Sequence, residues 1–165
     1  IEVSLFHTMA DWMNVPYLQT RYGGSAPKRL GLRHPSIAPY GAFVCADGRE
    51  VLLSVQNDRE WAALCAKVLD NPDLAQDPRY ASNVGRVAHM AEVEALIAPR
   101  LATLDREAAV ALLTAAGIAC GRLSRMEEMA HHPQARHVQA DSPTGPVEMM
   151  ARGVRFSDEV EFGGL

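Results

Sequence analysis

Two runs of β-forming residues separated by a tight turn constrain this chain more than any other feature. The runs cover residues 40–45 and 51–56, and the sequence ADG between them provides the glycine whose positive φ a hairpin turn needs. Asn57 and Glu60 follow at the spacing of a capping box, in which side chains satisfy the free backbone amides of the first helical turn. The sequence therefore predicts an antiparallel hairpin followed at once by a helix that begins at Asp58.

The composition is that of a globular protein with one domain. Of the 165 residues, 48% are hydrophobic and 22% are charged, which favours a single core with a tail over disorder or a coiled coil. The net charge of −4 and the lack of basic and aromatic clusters argue against nucleic acid as a partner. Three cysteines without a CxxC pair argue against disulfides and zinc, and favour the cytoplasm. No apolar run approaches the ~20 residues that span a bilayer, so no membrane partner is expected.

The first 39 residues are predicted to contain one helix and a linker. Apolar residues recur at helical spacing from Val3 to Met13, and Pro16 lacks the backbone donor of a continuing helix, so the helix is expected to end near Asn14. Two alternatives remain for its apolar face, which packs either on the core of this domain or on something outside this sequence. Residues 17–39 are rich in glycine and proline and are expected to be irregular.

The helix that begins at Asp58 is predicted to present one buried stripe. Its apolar residues fall at positions i, i+3, i+4, i+7 and i+8, and they are Trp61, Leu64, Cys65, Val68 and Leu69. Cys65 is accordingly interpreted as a core residue and not as a nucleophile. Residues 71–80 contain two prolines and are predicted to form a loop with one short helical turn.

Another helix is predicted over residues 83–98. Ser82 or Asn83 provides its N-cap, and Pro99 is expected to stop it. The residues expected to face the core are Val84, Val87, Ala88 and Ala91.

A further helix is predicted over residues 104–116, with Thr103 as its N-cap and Gly117 as the left-handed residue that ends it. The residues expected to face the core are Leu104, Ala108, Ala111, Leu112 and Ala115. Residues 118–123 are short and apolar enough to form a strand.

The C-terminal part is predicted to contain one short helix and a second hairpin. Ser124 and Glu127 repeat the capping-box spacing, and the helix they begin is expected to end before Pro133. Polar and apolar residues alternate on both sides of the SPTGP sequence at 142–146, which predicts a hairpin and then an extended segment.

Short motifs do not identify a reaction. The sequence contains no GxSxG, no HExxH and no glycine-rich phosphate loop. His131, His132 and His137 lack a cysteine or carboxylate at ligand spacing, so they are interpreted as surface residues and no metal site is expected. Composition and spacing alone leave an enzyme fragment and a binding domain equally open.

A series of segments nevertheless resembles one enzyme family. In chain order the segments are YGG at 22–24, HPSIAPYGAF with ADG within 34–48, QNDREW at 56–61, DPRY at 77–80 followed by Arg86, GIACG at 117–121, MEEMAHHPQ at 126–134 and GVRFS at 153–157. Read together, they resemble the class III CoA-transferases, the family of formyl-CoA transferase, the carnitine CoA-transferase type and α-methylacyl-CoA racemase. The resemblance covers essentially the whole chain.

The resemblance implies a fold and a domain organisation. The chain would be an α+β small domain with antiparallel hairpins and three to four helices. Residues 1–39 would be a helix and linker leaving a large domain, residues 40–157 the small domain, and residues 158–165 an exit segment returning to the large domain. The start at Ile1, without an initiator methionine, agrees with an internal piece. The complete enzyme would be an interlocked homodimer.

The resemblance also implies a reaction, the transfer of CoA between carboxylic acids such as succinate, itaconate, mesaconate or citramalate. An aspartyl-CoA thioester would form on an aspartate upstream of Ile1, so no catalytic residue is assigned here and the chain alone is expected to be inactive. The CoA thioester would be a substrate, with no tightly bound cofactor. Asn57 stands where the racemases have a glutamate, which favours a transferase. The alternatives are a racemase of the same family and a non-catalytic binding or interaction domain.

The candidate site is the loop before the first predicted strand. In formyl-CoA transferase a glycine-rich mobile lid matches residues 34–38, where this chain has the stiffer sequence HPSIA. Arginine side chains here can receive a substrate carboxylate or a CoA phosphate, and the alternative is a solvated basic linker. Arg29 is the candidate for CoA binding. The candidates for substrate binding are Arg33, His34, Pro35, Ser36, Ile37, Ala38, Tyr40 and Asn57.

Overall fold

The computed structural model describes residues 2–151 and 153, which form an α+β fold as predicted. The helices are α1 (Leu5–Trp12), α2 (Asn14–Tyr22), α3 (Asp58–Lys67), α4 (Asn83–Ala88), α5 (Met90–Leu101), α6 (Arg106–Ala116) and α7 (Met126–Ala130), with a 3-10 turn at Pro72–Gln76. The strands are β1 (Tyr40–Val44), β2 (Glu50–Ser54), β3 (Ala119–Arg122), β4 (His137–Ala140) and β5 (Val147–Met150). The chain divides into two compact units, the first ending at Leu123 and the second beginning at Ser124.

The predicted hairpin is present and forms the edge of the first unit's sheet. β1 and β2 pair antiparallel, with Tyr40 opposite Ser54 and Val44 opposite Glu50. Gly48 adopts φ of 72°, the left-handed conformation that the turn requires. β3 pairs antiparallel with the other side of β2, so the strand order is β1-β2-β3 and β1 lies at an edge.

The helix after the hairpin begins where the sequence predicts. Asn57 Oδ1 accepts a hydrogen bond from Glu60 N at 3.0 Å, and Glu60 Oε2 accepts one from Gln56 N at 2.7 Å. The reciprocal capping arrangement therefore forms, with Gln56 supplying the second amide. The predicted stripe is also confirmed, since Trp61, Leu64, Cys65 and Val68 are fully buried and Leu69 packs partly buried against them.

One core serves the first unit. The sheet contributes Val51 and Leu53, which are fully buried beside the α3 stripe. α5 and α6 contribute further fully buried apolar side chains, and these are Val93, Ile97, Leu101, Ala109 and Leu113. The sheet therefore has α3, α5 and α6 as its packing partners in one layered arrangement.

The first helix ends close to the predicted Asn14, but the irregular linker expected from Tyr17 begins later. α1 ends at Trp12, and α2 then runs to Tyr22, with Pro16 in its first turn. Proline is tolerated there because the backbone N–H groups of a first turn have no partner within the helix. The irregular stretch therefore begins at Gly23 and not at Tyr17.

α1 and α2 leave their apolar side chains exposed. Neither helix has a buried residue, and the side chains of Phe6 and Trp12 are 77% and 79% exposed. The interpretation of α1 as a core helix of this domain is therefore wrong for the described residues. None of the described helices is long and apolar enough to cross a lipid bilayer.

The helix predicted over residues 83–98 is in fact two helices. α4 and α5 meet at His89, whose ψ of 29° interrupts the helical path. The predicted inward face is wrong, since Val84 is 79% exposed and the buried residue of α4 is Arg86. Pro99 does not stop α5. Its missing N–H removes only the hydrogen bond to the Ala95 carbonyl, and Ala95 is exposed, so water can replace that bond.

The predicted stripe of α6 is displaced by one residue. Its buried apolar residues are Ala109, Leu113 and Ala116, and its N-cap is Asp105, not Thr103. This helix is rich in alanine and leucine on every side, so packing against β2 and α3 selects the face. The predicted C-cap is confirmed, with Gly117 at φ of 79°.

The second unit contains the predicted short helix and hairpin. Arg125 N donates to Glu128 Oε2 at 2.9 Å, so the helix starts one residue later than the predicted Ser124 cap. β4 and β5 pair antiparallel, with His137 opposite Met150. The predicted exit segment at 158–165 lies outside the described residues, as does most of the GVRFS segment.

The two tryptophans provide a test of the core. Trp61→Ala is expected to lower the free energy of unfolding by about 3–5 kcal/mol, because it removes a fully buried ring from the core. Trp12→Ala, which removes an exposed ring, is expected to change it by less than about 0.5 kcal/mol. Denaturant titration of both variants measures the difference, and a Trp61→Ala loss below about 1 kcal/mol would show that the stripe is misassigned.

Candidate functional site

The loop of residues 33–39 folds back on the start of β1. The rings of His34 and Tyr40 stack with centroids 5.3 Å apart and planes 20° apart. His34 N donates to Tyr40 O at 3.3 Å, and His34 Nδ1 accepts from Ser36 N at 3.2 Å. These contacts bring Arg33 to Ala38 and Tyr40 into one short segment. Pro35 is exposed and Ile37 is half-buried.

Arg33 is held by a carboxylate of α5. Arg33 Nε lies 2.7 Å from Glu94 Oε1 and Arg33 Nη2 lies 2.6 Å from Glu94 Oε2, a bidentate pair. This pairing raises the pKa of Arg33. Among the described residues Nη1 has no hydrogen-bond partner, and the Arg33 side chain is 52% exposed.

A groove runs beside this ion pair, between β1 and the end of α5. Its volume is ≈ 490 Å³. The lining residues are mostly small or apolar, and they are Arg33, Gly41, Ala42, Phe43, Val44, Glu94, Ala98, Pro99 and Ala102. The pair formed by Arg33 and Glu94 is the charged part of this lining.

The back of the loop is held by Arg86, which is fully buried. Its Nε donates to Ala38 O at 2.8 Å, Nη1 to Tyr80 O at 2.9 Å and Nη2 to Asp58 Oδ1 at 2.9 Å. Its guanidinium also lies over the Trp61 ring, 5.3 Å from the centroid. A buried arginine is tolerated here because each of its three side-chain nitrogens has an acceptor.

Arg86 is part of the family resemblance, but the sequence predicts no role for it. A weak signal was present, since Arg86 lies seven residues before Val93 and eleven before Ile97, on one helical face. Its acceptors are two backbone carbonyls and a distant carboxylate, which a sequence does not reveal. The spacing of apolar residues therefore predicts the helix but not the role of Arg86.

Asn83 is a second residue whose contacts the sequence did not reveal. Ser82 is the N-cap of α4, with its Oγ accepting from Gly85 N at 3.2 Å. The Asn83 amide instead reaches the loop, where Nδ2 donates to Ser36 O at 2.8 Å and Oδ1 accepts from Ala38 N at 3.2 Å.

The remaining two candidates lie outside the loop. The Asn57 side chain is engaged in capping, with Nδ2 2.7 Å from Glu60 Oε1, and it adjoins Asp58, the partner of Arg86. Arg29 is exposed in the irregular stretch before the loop, and no described side chain forms an ion pair with it.

Other reactive side chains do not form a site in the described part of the chain. No group of three or more histidine, cysteine or acidic side chains is arranged to hold a metal among residues 2–151 and 153. Burial raises the pKa of the Cys65 thiol to about 11, so the thiol stays protonated near neutral pH and is a poor nucleophile. This agrees with the interpretation of Cys65 as a core residue.

Comparison with known proteins identifies the family. The sequence model of CoA-transferase family III matches residues 1–161. The chain belongs to CoA-transferase family III. An acyl-CoA transferase of Fusarium pseudograminearum is 34% identical over 165 residues, covering 96% of this chain and 36% of the relative. A succinate–glutarate CoA-transferase of Agrobacterium fabrum is 33% identical over 150 residues, covering 91% of this chain and 33% of the relative.

A solved structure supports the same family assignment. The crystal structure of a CAIB/BAIF family protein from Brucella suis superposes with a TM-score of 0.75 at 32% identity, covering 94% of this chain and 40% of that chain. This family III member spans about a third of the length of the curated relatives it matches. The predicted resemblance to class III CoA-transferases is therefore confirmed.

Replacing the buried arginine tests the anchoring of the loop. Arg86→Ala is expected to lower the free energy of unfolding by about 2–4 kcal/mol, because two buried carbonyls lose a charged donor. Arg79→Ala is the matched control, since its ion pairs are exposed and are worth about 1 kcal/mol or less. Denaturant unfolding compares the two, and equal losses would contradict the structural role assigned to Arg86.

Proposed function

We propose that this chain is the part of a family III CoA-transferase that supplies one wall of the active site. The enzyme would move CoA between small dicarboxylic acids such as succinate, glutarate, mesaconate, itaconate or citramalate. The observation that carries the proposal is the anchored 33–39 loop, at the position of the family's lid, in a chain that the family model covers over residues 1–161. The Agrobacterium fabrum relative, a succinate–glutarate CoA-transferase, supports the choice of acids.

The proposed reaction uses an aspartate that this chain does not provide. The aspartate attacks the thioester carbonyl of the donor and expels the CoA thiolate, leaving a mixed anhydride. The thiolate then attacks the aspartyl carbonyl, which releases the donor acid and leaves an aspartyl-CoA thioester. The acceptor acid completes the exchange by the reverse steps. Residues 33–40 contain no carboxylate, and the nearby Glu94 is occupied by Arg33, which supports an external nucleophile.

The loop is proposed to orient the acids and not to react with them. Nη1 of Arg33 points away from Glu94 and is available for the second carboxylate of a dicarboxylic acid. The next residue, His34, stacks its ring on one face of Tyr40. The acid is therefore proposed to lie on the other side of Tyr40. Arg29, exposed and ahead of the loop, is proposed to contact a phosphate of CoA.

The environment of the enzyme follows from the same proposal. The CoA thioester and the acid are substrates, and the large domain of the same protein is the main partner of this chain. An interlocked homodimer in the cytoplasm completes the proposal. The exposed apolar side chains of α1 and α2 agree with a large partner surface.

Two other functions are less well supported. A racemase would use a carboxylate at Asn57, and this side chain is an amide engaged in the α3 cap. A free-standing binding domain would leave the match to CoA-transferases over 96% of the chain without an explanation.

The reaction is tested with a chimera. The chain replaces the matching third of the Agrobacterium fabrum relative, and CoA transfer from succinyl-CoA to glutarate is measured for the chimera and for the 165-residue chain alone. The chimera is expected to be active and the chain alone inactive, because the nucleophile lies outside the chain. Transfer by the chain alone would contradict the external nucleophile, and a folded but inactive chimera would contradict the proposed function.

The roles of Arg33 and Arg29 are tested in the same chimera. Arg33→Ala is expected to raise KM for glutarate about tenfold or more, because a charged hydrogen bond to the acid is lost. Arg29→Ala is expected to raise KM for the CoA thioester instead. Arg59→Ala, which removes an exposed arginine on α3, is the control and should change neither constant. Unchanged kinetics in all three variants would place acid binding elsewhere.

A further inference from the structure

We infer that Asn83 is a positioning residue for the 33–39 loop, whose backbone it clamps so that the loop acts as a fixed wall and not as a moving lid. This inference rests on the proposed function, because it assumes that the loop borders the acid. It concerns the half of the loop from Ser36 to Pro39.

The Asn83 amide binds the loop as a neighbouring backbone would. Its Nδ2 donates to Ser36 O at 2.8 Å and its Oδ1 accepts from Ala38 N at 3.2 Å, so the two bonds bracket Ile37. Neither Ser36 nor Ala38 belongs to a helix or a strand. Their backbone N–H and C=O groups therefore need other hydrogen-bond partners where the loop approaches the core. The Asn83 side chain thus makes the hydrogen bonds that a paired strand would otherwise make to this segment.

Arg86 completes the clamp from the same helix. It lies three residues after Asn83 on α4, a spacing that places two side chains on one helical face. Arg86 Nε donates to Ala38 O at 2.8 Å, so the N–H and C=O groups of Ala38 are both satisfied by α4. Pro39 O then accepts from Val55 N at 3.0 Å, which ties the loop to the residue that follows β2.

The needs of α4 itself do not explain Asn83. Ser82 already supplies the cap, and asparagine has a low propensity for the helical position that it occupies. Its two bonds go to residues 45 and 47 positions away in the sequence. A loop ordered in advance avoids the entropic cost of ordering it when substrate binds, and this is the advantage of a clamp.

The first test measures amide exchange in the 165-residue chain. Asn83→Ala is expected to speed exchange of the Ala38 amide about tenfold or more, since two hydrogen bonds are lost. Exchange in β2 should stay unchanged. Ser82→Ala is the matched control, because it weakens the α4 cap one residue away and leaves the loop bonds intact. Equal exchange at Ala38 in Asn83→Ala and in the unsubstituted chain would overturn the inference.

The second test uses a pH-dependent rescue. Asn83→Asp keeps an acceptor for Ala38 N but faces Ser36 O with a carboxylate oxygen, so the loop should loosen at neutral pH. Below about pH 4 the introduced carboxyl is protonated and can donate to Ser36 O again. The ratio of Ala38 exchange in Asn83→Asp to that in the unsubstituted chain, at each pH, should therefore fall toward one. A ratio independent of pH would contradict the donor role of Asn83.

The third test connects the clamp to catalysis in the chimera. Asn83→Ala is expected to raise KM for glutarate or to lower kcat about tenfold or more, by displacing the wall, whereas Ser82→Ala should change neither. Altered exchange with unchanged kinetics would show a clamp that does not serve the site and would overturn the inference. An inactive unsubstituted chimera would count against the proposed function, while the exchange experiments would still decide whether the clamp exists.

Discussion

The buried guanidinium of Arg86 joins the parts of the first unit that the sequence leaves far apart. Its three bonds reach the candidate loop, the turn at Tyr80 and the N-terminus of α3, and its flat face covers Trp61. Two of its acceptors are neutral carbonyls, and the Asp58 carboxylate is 64% exposed, so little of the negative charge is removed from water. A planar group with fixed donors suits such a junction, which a lysine would not satisfy.

The candidate site follows from this junction and from the hairpin. β1 places Tyr40 at the sheet edge, and the loop before it is held by Asn83 and Arg86 behind and by Glu94 in front. The Arg33 guanidinium and the loop that follows it are therefore held by side chains from two helices, α5 and α4. The chain belongs to CoA-transferase family III, and the acid and the CoA thioester are the ligands that we propose for this wall.

Much of the fold and part of the site were predictable from local chemistry. The turn at Gly48, the cap at Asn57 and the left-handed end at Gly117 were all correctly placed, because each depends on residues a few positions apart. The stripe of α3 was also correct, because its polar and apolar faces contrast strongly. The α6 stripe was displaced by one residue because alanine and leucine surround that helix and give no contrast. Site residues within the loop were identified through family resemblance, and their individual roles remain predictions.

The sequence by itself determined the hairpin, the caps at Asn57 and Gly117, the α+β class and the family. Only the tertiary structure decided that the long predicted helix breaks at His89, that Arg86 lies inside and that Asn83 holds the loop. The bonds from Asn83 and Arg86 to Ala38 span 45 and 48 residues, and a contact at that range depends on how the helices pack. Local propensity acts over one or two helical turns. A buried polar group such as the Arg86 guanidinium is stable only where acceptors from distant parts of the sequence surround it, and only the folded chain brings those acceptors together.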